Sequence, residues 1–240
     1  MLLEIKDLID KDVIAEDGKI GKSHDLIIDH VVWTVQYIVC SVGKRFRRKK
    51  ILIPHTIIQK SKQRNEIEVS ALRKDLLADD IIHVPHQLVK GKFVVIEGRR
   101  AASQPASLKV ANTETGSEQP DMIRDPDLLT MKVLSRYRIE TSDRVLNRIK
   151  NFVVNADTWI IQCILINTRA WPFRKNVLLP VPWITGINIQ KARVTTDISS
   201  GVLRSAPRYD PSIHLSSSET DAFFKYFANL RANENISAKR

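Results

Sequence analysis

Two clusters of basic and aromatic residues are the strongest candidates for binding chemistry in this chain. The first cluster consists of Lys44, Arg45, Phe46, Arg47, Arg48, Lys49 and Lys50, and the second consists of Arg169, Trp171, Phe173, Arg174 and Lys175. Lysine and arginine neutralise anionic groups, and aromatic rings stack on bases or insert into an interface. Because charge at this density cannot be buried unpaired, each cluster is either a solvated loop or a binding surface.

The remaining reactive residue types lack the spacing of a catalytic or metal site. Residues 21–23 (Gly-Lys-Ser) resemble the end of a phosphate-binding loop, but Glu16 stands where the leading glycine belongs. Residues 23–25 (Ser-His-Asp) are adjacent on a predicted strand, so their side chains alternate between faces and cannot form a triad. His83 and His86 lack further metal ligands. We therefore predict no catalytic residue, no cofactor, no metal, and a protein that is not an enzyme.

Both clusters belong to a segment that occurs twice in the chain. Trp33 and Trp159 mark the same point in the two copies, which sets the shift between them (159 − 33 = 126). The same gapless shift superposes Asp17 on Asp143, Arg48 on Arg174 and Pro54 on Pro180. Self-similarity at a fixed shift indicates two copies of one structural unit.

Each copy has the pattern of a small β unit. An Asp-Gly turn at residues 17–18 predicts a tight hairpin, followed by strands over 20–29 and 33–42, and in the second copy over 146–155 and 159–168. The acidic or amide residues at the turns are predicted to cap their own hairpins; they are Asp17, Asp29, Asp143 and Asn155. Aromatic residues at helical spacing after residue 222 predict a C-terminal helix.

The shared pattern resembles the PRC-barrel family. It comprises an acidic turn, an Ile-Gly step, an apolar strand pair hinged near a Trp, a basic loop, and a strand that ends in Leu-Leu-Pro. Residues 10–82 and 132–228 carry it, and the second copy carries more of it, including Trp183 and the Tyr-Asp-Pro-Ser at 209–212. The PRC-barrel is a small β-barrel module of the photosynthetic reaction centre H subunit, of the ribosome maturation factor RimM, and of many stand-alone bacterial proteins.

Together the repeat and the resemblance give a mainly β fold: two small PRC-barrel-like β-barrels in tandem, with short helices and a C-terminal helix. We expect residues 1–82 to form the first barrel and 131–231 to form the second with its helix, leaving a tail at 232–240. Residues 83–130 are predicted to be a largely flexible linker, because 101–126 lack the apolar content of a core. Within that linker, residues 94–96 are compatible with an added strand.

Net charge and hydropathy indicate the kind of partner and the cellular location. Lys and Arg number 38 against 27 Asp and Glu, and the resulting net charge of +11 favours acidic partners. No apolar run is long enough to span a membrane. Charged residues within the first seven positions interrupt the apolar core that a signal peptide requires, so we expect a cytoplasmic protein. Cys40 and Cys163 lie in apolar runs and are predicted to be buried thiols.

The resemblance implies a non-enzymatic interaction or scaffold protein that docks onto a larger protein assembly, whose identity the sequence does not give. The alternative is an RNA- or ribosome-associated protein similar to RimM, which would use the basic loops. A homodimer also stays open, since apolar positions of one barrel could be covered by the other copy or by a second chain.

Overall fold

The computed structural model describes residues 2–43, 49–59, 66–77, 94–97, 122–125, 128–169, 174–210 and 223–230. The strands, in chain order, are β1 Leu2–Glu4, β2 Asp12–Ala15, β3 Gly18–Asp29, β4 Thr34–Val42, β5 Lys49–Pro54, β6 Glu66–Glu68, β7 Val94–Glu97, β8 Met122–Asp125, β9 Leu128–Thr130, β10 Arg138–Glu140, β11 Val145–Asn155, β12 Ile161–Arg169, β13 Arg174–Pro180, β14 Gly186–Asn188 and β15 Arg193–Thr195. The helices are α1 Arg73–Leu77, α2 Met131–Leu134, α3 Ser200–Ser205 and α4 at residues 223–230, with 3-10 turns at Ile5–Leu8, His55–Ile57 and Val181–Trp183. The fold is mainly β with short helices, which confirms the predicted fold class.

The chain divides into two compact units, here called the N-unit and the C-unit. The N-unit is Asp7–Val133, and the C-unit combines Met1–Lys6 with Leu134–Arg240. The N-unit sheet has the order β5-β4-β3-β2-β6, with β9 added to β3. The C-unit sheet has the order β13-β12-β11-β10-β15-β14, with β1 added to β11.

The two sheets share their strand directions as well as their order. The equivalent pairs β2·β6 and β10·β15 are parallel, whereas the other pairings within both sheets are antiparallel. An isolated antiparallel bridge between Ile58 and Val69 stands in the N-unit where β14 pairs with β15 in the C-unit. The sequence repeat is therefore also a repeat of topology.

The two units exchange their first strands. β1, the first strand of the first copy, belongs to the C-unit sheet, and β9, its equivalent in the second copy, belongs to the N-unit sheet. β1 pairs with β11, placing Leu2 opposite Asn155, and β9 pairs with β3, placing Leu128 opposite Asp29. Both pairs have the same register. Leu128 lies 126 residues after Leu2, and the partner of Leu2, Asn155, lies 126 residues after the partner of Leu128, Asp29. The predicted first domain, 1–82, differs from this arrangement: residues 1–6 complete the C-unit, and β9, from the predicted linker, completes the N-unit.

Part of the predicted linker 83–130 has regular structure. β7 and β8 form an antiparallel two-stranded sheet, with Val94 opposite Asp125, so the strand suggested at 94–96 is present. The rest of 83–127 lies outside the described residues, as does the predicted tail 232–240. The flexibility predicted for those segments stays a prediction.

Apolar residues late in the long strands build the core of each unit. Leu26, Ile27 and Ile28 are consecutive in β3 and completely buried, which shows that this end of the strand is covered on both faces. In the C-unit, Val153 packs in a cluster with Tyr209 and with Phe223 from α4, the helix predicted from its aromatic spacing.

The two repeated tryptophans are buried, but they are not strand residues. Trp33 and Trp159 are each 8% exposed and have φ angles of 54° and 58°, in the left-handed region. β4 accordingly begins at Thr34 and β12 at Ile161, later than the predicted strand starts. The two repeated prolines are strand ends: Pro54 ends β5 and Pro180 ends β13, and each precedes a 3-10 turn.

The predicted hairpin caps are correct for one pair and wrong for the other. Asp29 Oδ1 accepts hydrogen bonds from the N–H groups of residues 31 and 32, and Asn155 Oδ1 accepts one from that of Asp157, within their own turns. Asp17 Oδ1 instead accepts the backbone N–H of Arg73 at 2.7 Å, at the start of α1. Asp143 likewise binds Ser200, the first residue of α3. These carboxylates tie a hairpin to a distant helix rather than cap the hairpin.

Candidate functional site

An open basic groove in the N-unit is the candidate functional site. Its volume is about 1130 Å³, and it lies between the polar half of β3, the end of β4, the start of β5, and α1. Its lining consists of Asp10, Lys19, Ile20, Gly21, Lys22, Ser23, His24, Ser41, Val42, Gly43, Lys49, Lys50, Arg73 and Leu77. Five of these side chains are Lys or Arg and one is a carboxylate, so the lining has an excess of positive charge.

Close backbone packing between β3 and β4 shapes the floor of the groove. A Cβ added to Gly21 would lie 2.2 Å from the carbonyl oxygen of Ser41, so only glycine permits this approach. Gly43 follows β4 with a φ of 101°, a conformation that glycine adopts without strain.

A single carboxylate orients two of the groove lysines. Lys19 Nζ lies 2.6 Å from Asp12 Oδ2, and Lys22 Nζ lies 3.6 Å from Asp12 Oδ1. The Lys19 hydrogen bond, followed by the attraction of both ammonium groups, holds the pKa of Asp12 below its ordinary value. The lysine side chains are more than half exposed, so these ion pairs orient the two ammonium groups but contribute little to the stability of the fold.

The helix α1 brings Arg73 to the same groove. Asp17 holds the first backbone N–H of the helix, and the Arg73 side chain lies over Gly18, within 3.8 Å of the position that a Cβ would take there. Gly18 has a φ of 129° in the tight turn predicted from the Asp-Gly pair. The hairpin and the helix are therefore positioned together, and with them the basic side chains of Lys19 and Lys22 on β3 and of Arg73 on α1.

The groove unites only part of the residues predicted to bind. Lys49 and Lys50 line it, whereas residues 44–48, from Lys44 to Arg48, lie outside the described part of the chain. In the second cluster, Lys175 Nζ donates to the carbonyl oxygen of Arg204 at 2.9 Å, a contact within the C-unit. Arg174 is the first residue of β13, and residues 170–173, with Trp171 and Phe173, lie outside the described residues.

Sequence reasoning missed Lys19, Lys22 and Arg73 as binding residues because the two lysines lie on β3 and the arginine lies on α1, and these two segments meet only after folding. A signal existed in the comparison of the two copies. One shift later, Val145 and Ser199 stand in place of Lys19 and Arg73, so these two charges belong to the first copy alone. A charge that one copy has and the other lacks is not required by the shared fold.

Ser23 and Asp25 have structural roles. The Ser23 hydroxyl donates to the Leu8 carbonyl oxygen at 2.6 Å and accepts the Lys11 N–H at 2.9 Å. Asp25 is buried and accepts the N–H groups of Leu26 and Lys132. Burial raises the pKa of Asp25, and the bound N–H groups oppose that rise.

Other reactive groups are also enclosed by the fold. Cys40 and Cys163 are unbridged and buried, and burial raises the pKa of each thiol to about 12. Among the described residues, no group of three or more His, Cys, Asp and Glu is placed to hold a metal ion. The described part of the chain also contains no helix with the length and apolarity needed to cross a membrane.

Comparison with known proteins identifies one family. Residues 2–76 match the model of the PRC-barrel domain. No curated protein matches the chain significantly. The match covers β1 to α1, which contains all of the groove lining except Leu77. The match falls on the first copy, although the second copy has more of the residues that make up the shared pattern.

Proposed function

We propose, from the premise that residues 2–76 are a PRC-barrel domain, that this chain is a non-enzymatic interaction protein. It docks onto a larger protein assembly, and its basic groove binds an acidic surface of that assembly. The C-unit acts as a second barrel of the same kind, a reading supported by its matching strand order.

The composition of the groove carries this proposal. Lys19, Lys22, Lys49, Lys50 and Arg73 line it together with one carboxylate, Asp10. An excess of positive side chains around a concave surface accelerates encounters with an acidic partner and makes them sensitive to ionic strength. Because Asp12 already orients Lys19 and Lys22, two of the five cations, less side-chain order has to be gained on binding.

The described lining favours a protein partner over a nucleic acid. It contains no Phe, Tyr or Trp that could stack on a base. Ile20, Val42 and Leu77 stand among the charges, and Leu77 is 39% exposed. Apolar side chains beside a ring of cations are typical of protein interfaces, in which an apolar centre is bordered by polar groups.

Net charge supports the second candidate, an RNA- or ribosome-associated protein. The chain carries +11, and Lys49 and Lys50 of the predicted basic loop 44–50 line the groove. Phosphate contacts would give an affinity that falls steeply with salt. The slope of the logarithm of the binding constant against the logarithm of the salt concentration should become more negative by nearly one for each contact. The same experiment separates this candidate from the first.

The test is affinity capture of the full-length tagged protein from its native lysate, with and without nuclease. A groove variant carries Lys19→Gln, Lys22→Gln and Arg73→Gln, which remove three charges but keep the side-chain stems. We expect the native protein to recover a nuclease-resistant protein assembly, and the groove variant to lose it. Recovery that disappears after nuclease treatment would instead support the RNA-associated function.

A matched control keeps the net charge of the groove variant but leaves the groove intact. Arg148, Lys191 and Lys225 are exposed residues of the C-unit, and their replacement by Gln removes the same three charges. The control should recover the assembly like the native protein. Equal recovery by the native protein and the groove variant, or equal loss in both variants, would refute a role for the groove.

The cytoplasmic location and the absence of enzymatic activity belong to the same proposal. Fractionation of native cells tests the location, since a docking protein of this kind should be recovered with its assembly in the cytoplasmic fraction.

A further inference from the structure

We propose that one buried polar position in each sheet, Asp25 in the N-unit and Asn151 in the C-unit, selects which first strand that sheet accepts. The two positions are equivalent, since they differ by the 126-residue shift. The strands that they select, β1 and β9, are equivalent as well. The chemistry around each position matches only the strand that is bound there.

In the C-unit, Asn151 is matched to a carboxylate on β1. Glu4 is only 6% exposed, and its Oε2 accepts a hydrogen bond from Asn151 Nδ2 at 2.5 Å. Its Oε1 accepts one from the Tyr209 hydroxyl. Lys6, just after the strand, places its ammonium group 2.8 Å from Glu4 and donates its backbone N–H to Asn151 Oδ1 at 3.2 Å.

In the N-unit, Asp25 is matched to a strand without a carboxylate. Thr130 of β9 stands where Glu4 stands in β1. Lys132, equivalent to Lys6, donates its backbone N–H to Asp25 Oδ1 at 3.2 Å, and its ammonium group binds the carbonyl oxygen of His24 at 2.7 Å. The backbone contact is thus common to both units, and only the facing side chains differ.

Exchanging the two strands would break both matches. With β1 in the N-unit, the Glu4 carboxylate would face the buried Asp25 carboxylate, and two buried like charges repel strongly. With β9 in the C-unit, the Tyr209 hydroxyl and the Asn151 amide would lose the carboxylate that they bind, and buried donors without acceptors are costly. The polar pairs therefore direct β1 to the C-unit and β9 to the N-unit.

Disulfide trapping in the full-length protein tests where β1 lies. Leu3 is the register partner of Val154, and one shift earlier the equivalent residue is Ile28. We expect the Leu3→Cys and Val154→Cys pair to form an intrachain disulfide on mild oxidation, seen by intact mass and gel mobility. The matched Leu3→Cys and Ile28→Cys pair should stay reduced, and its cross-linking would overturn the proposal.

Hydrogen exchange of the two strands tests the selection itself. The change Asn151→Asp places a second carboxylate against Glu4, so exchange at residues 2–4 should become roughly tenfold faster or more, while 128–130 stay protected. Adding Glu4→Thr, which copies the N-unit arrangement, should restore protection. Unchanged exchange at 2–4 in the single variant, or no restoration in the double variant, would overturn the proposal.

The mirror experiment in the N-unit remains decisive if the Asn151→Asp protein does not fold. The change Thr130→Glu brings a carboxylate to Asp25, so exchange at 128–130 should accelerate while 2–4 stay protected. Adding Asp25→Asn, which copies the C-unit, should reverse the effect. If Asp25→Asn gives no rescue, the side chain at this position does not select the strand.

Discussion

Replacing Trp159 should reveal the left-handed backbone at this position through the relative stability of two variants. Truncation to Ala removes a buried indole and should cost about 3–5 kcal/mol of unfolding free energy. The φ of 58° is strained for Ala as it is for Trp, but glycine adopts it freely. We therefore expect Trp159→Gly to be more stable than Trp159→Ala by about 1 kcal/mol, a reversal of the usual order in regular structure.

The assay is urea unfolding followed by circular dichroism, with Ile164 as the matched control. Ile164 lies inside β12 and is fully buried, so there the Ala variant should be more stable than the Gly variant by about 0.5–1 kcal/mol. Trp33, with a φ of 54°, provides a second test in the other unit. If Gly proves less stable than Ala at both tryptophan positions, as at Ile164, the inference of stored backbone strain is wrong.

Three further predictions concern packing and pH. Gly21→Ala should destabilise the N-unit by about 1–3 kcal/mol in thermal melts, because of overpacking against Ser41; Gly201→Ala, where the new Cβ has only a contact at 3.6 Å, should not. The pKa of Asp25 is raised by burial, so the wild type loses stability as pH rises from about 4 toward neutral. Asp25→Asn does not have this loss, so the Tm of Asp25→Asn relative to the wild type should fall as the solution is acidified. The pKa of Asp143 is lowered, first by the Ser200 hydroxyl and N–H, so its contribution is complete at neutral pH and declines as pH falls below about 4. Asp143→Ala should therefore lower Tm at pH 7, and the difference in Tm from the wild type should become smaller toward pH 2.

Local signals were sufficient for most of the fold. Asp17 and Gly18 determine a turn through the conformations that they allow, and Pro54 ends a strand because it has no N–H. The period of the apolar residues identified the long strands and the C-terminal helix. The twofold repeat then made each assignment in one copy a check on the other.

The interactions that sequence reasoning missed depend on residues far apart in the chain. Glu4 is separated from Asn151 by 147 residues, and Asp17 from Arg73 by 56. A run such as Leu-Leu-Glu shows that a strand has an apolar face, but not which of two similar sheets it joins. The groove was missed for the same reason, because its cations come from β3, β5 and α1 and converge only after folding.

The exchange of first strands has a consequence for biosynthesis. Synthesis proceeds from the N-terminal side toward the C-terminal side, so β2 to β6 are complete long before β9, at Leu128–Thr130, leaves the ribosome. The N-unit sheet must wait for that strand, and β1 must wait longer, for β11 at Val145–Asn155. Contacts at such separations form slowly and leave apolar strand edges exposed meanwhile. A chain released within the segment between the copies would therefore carry one sheet without its last strand and one strand without its sheet.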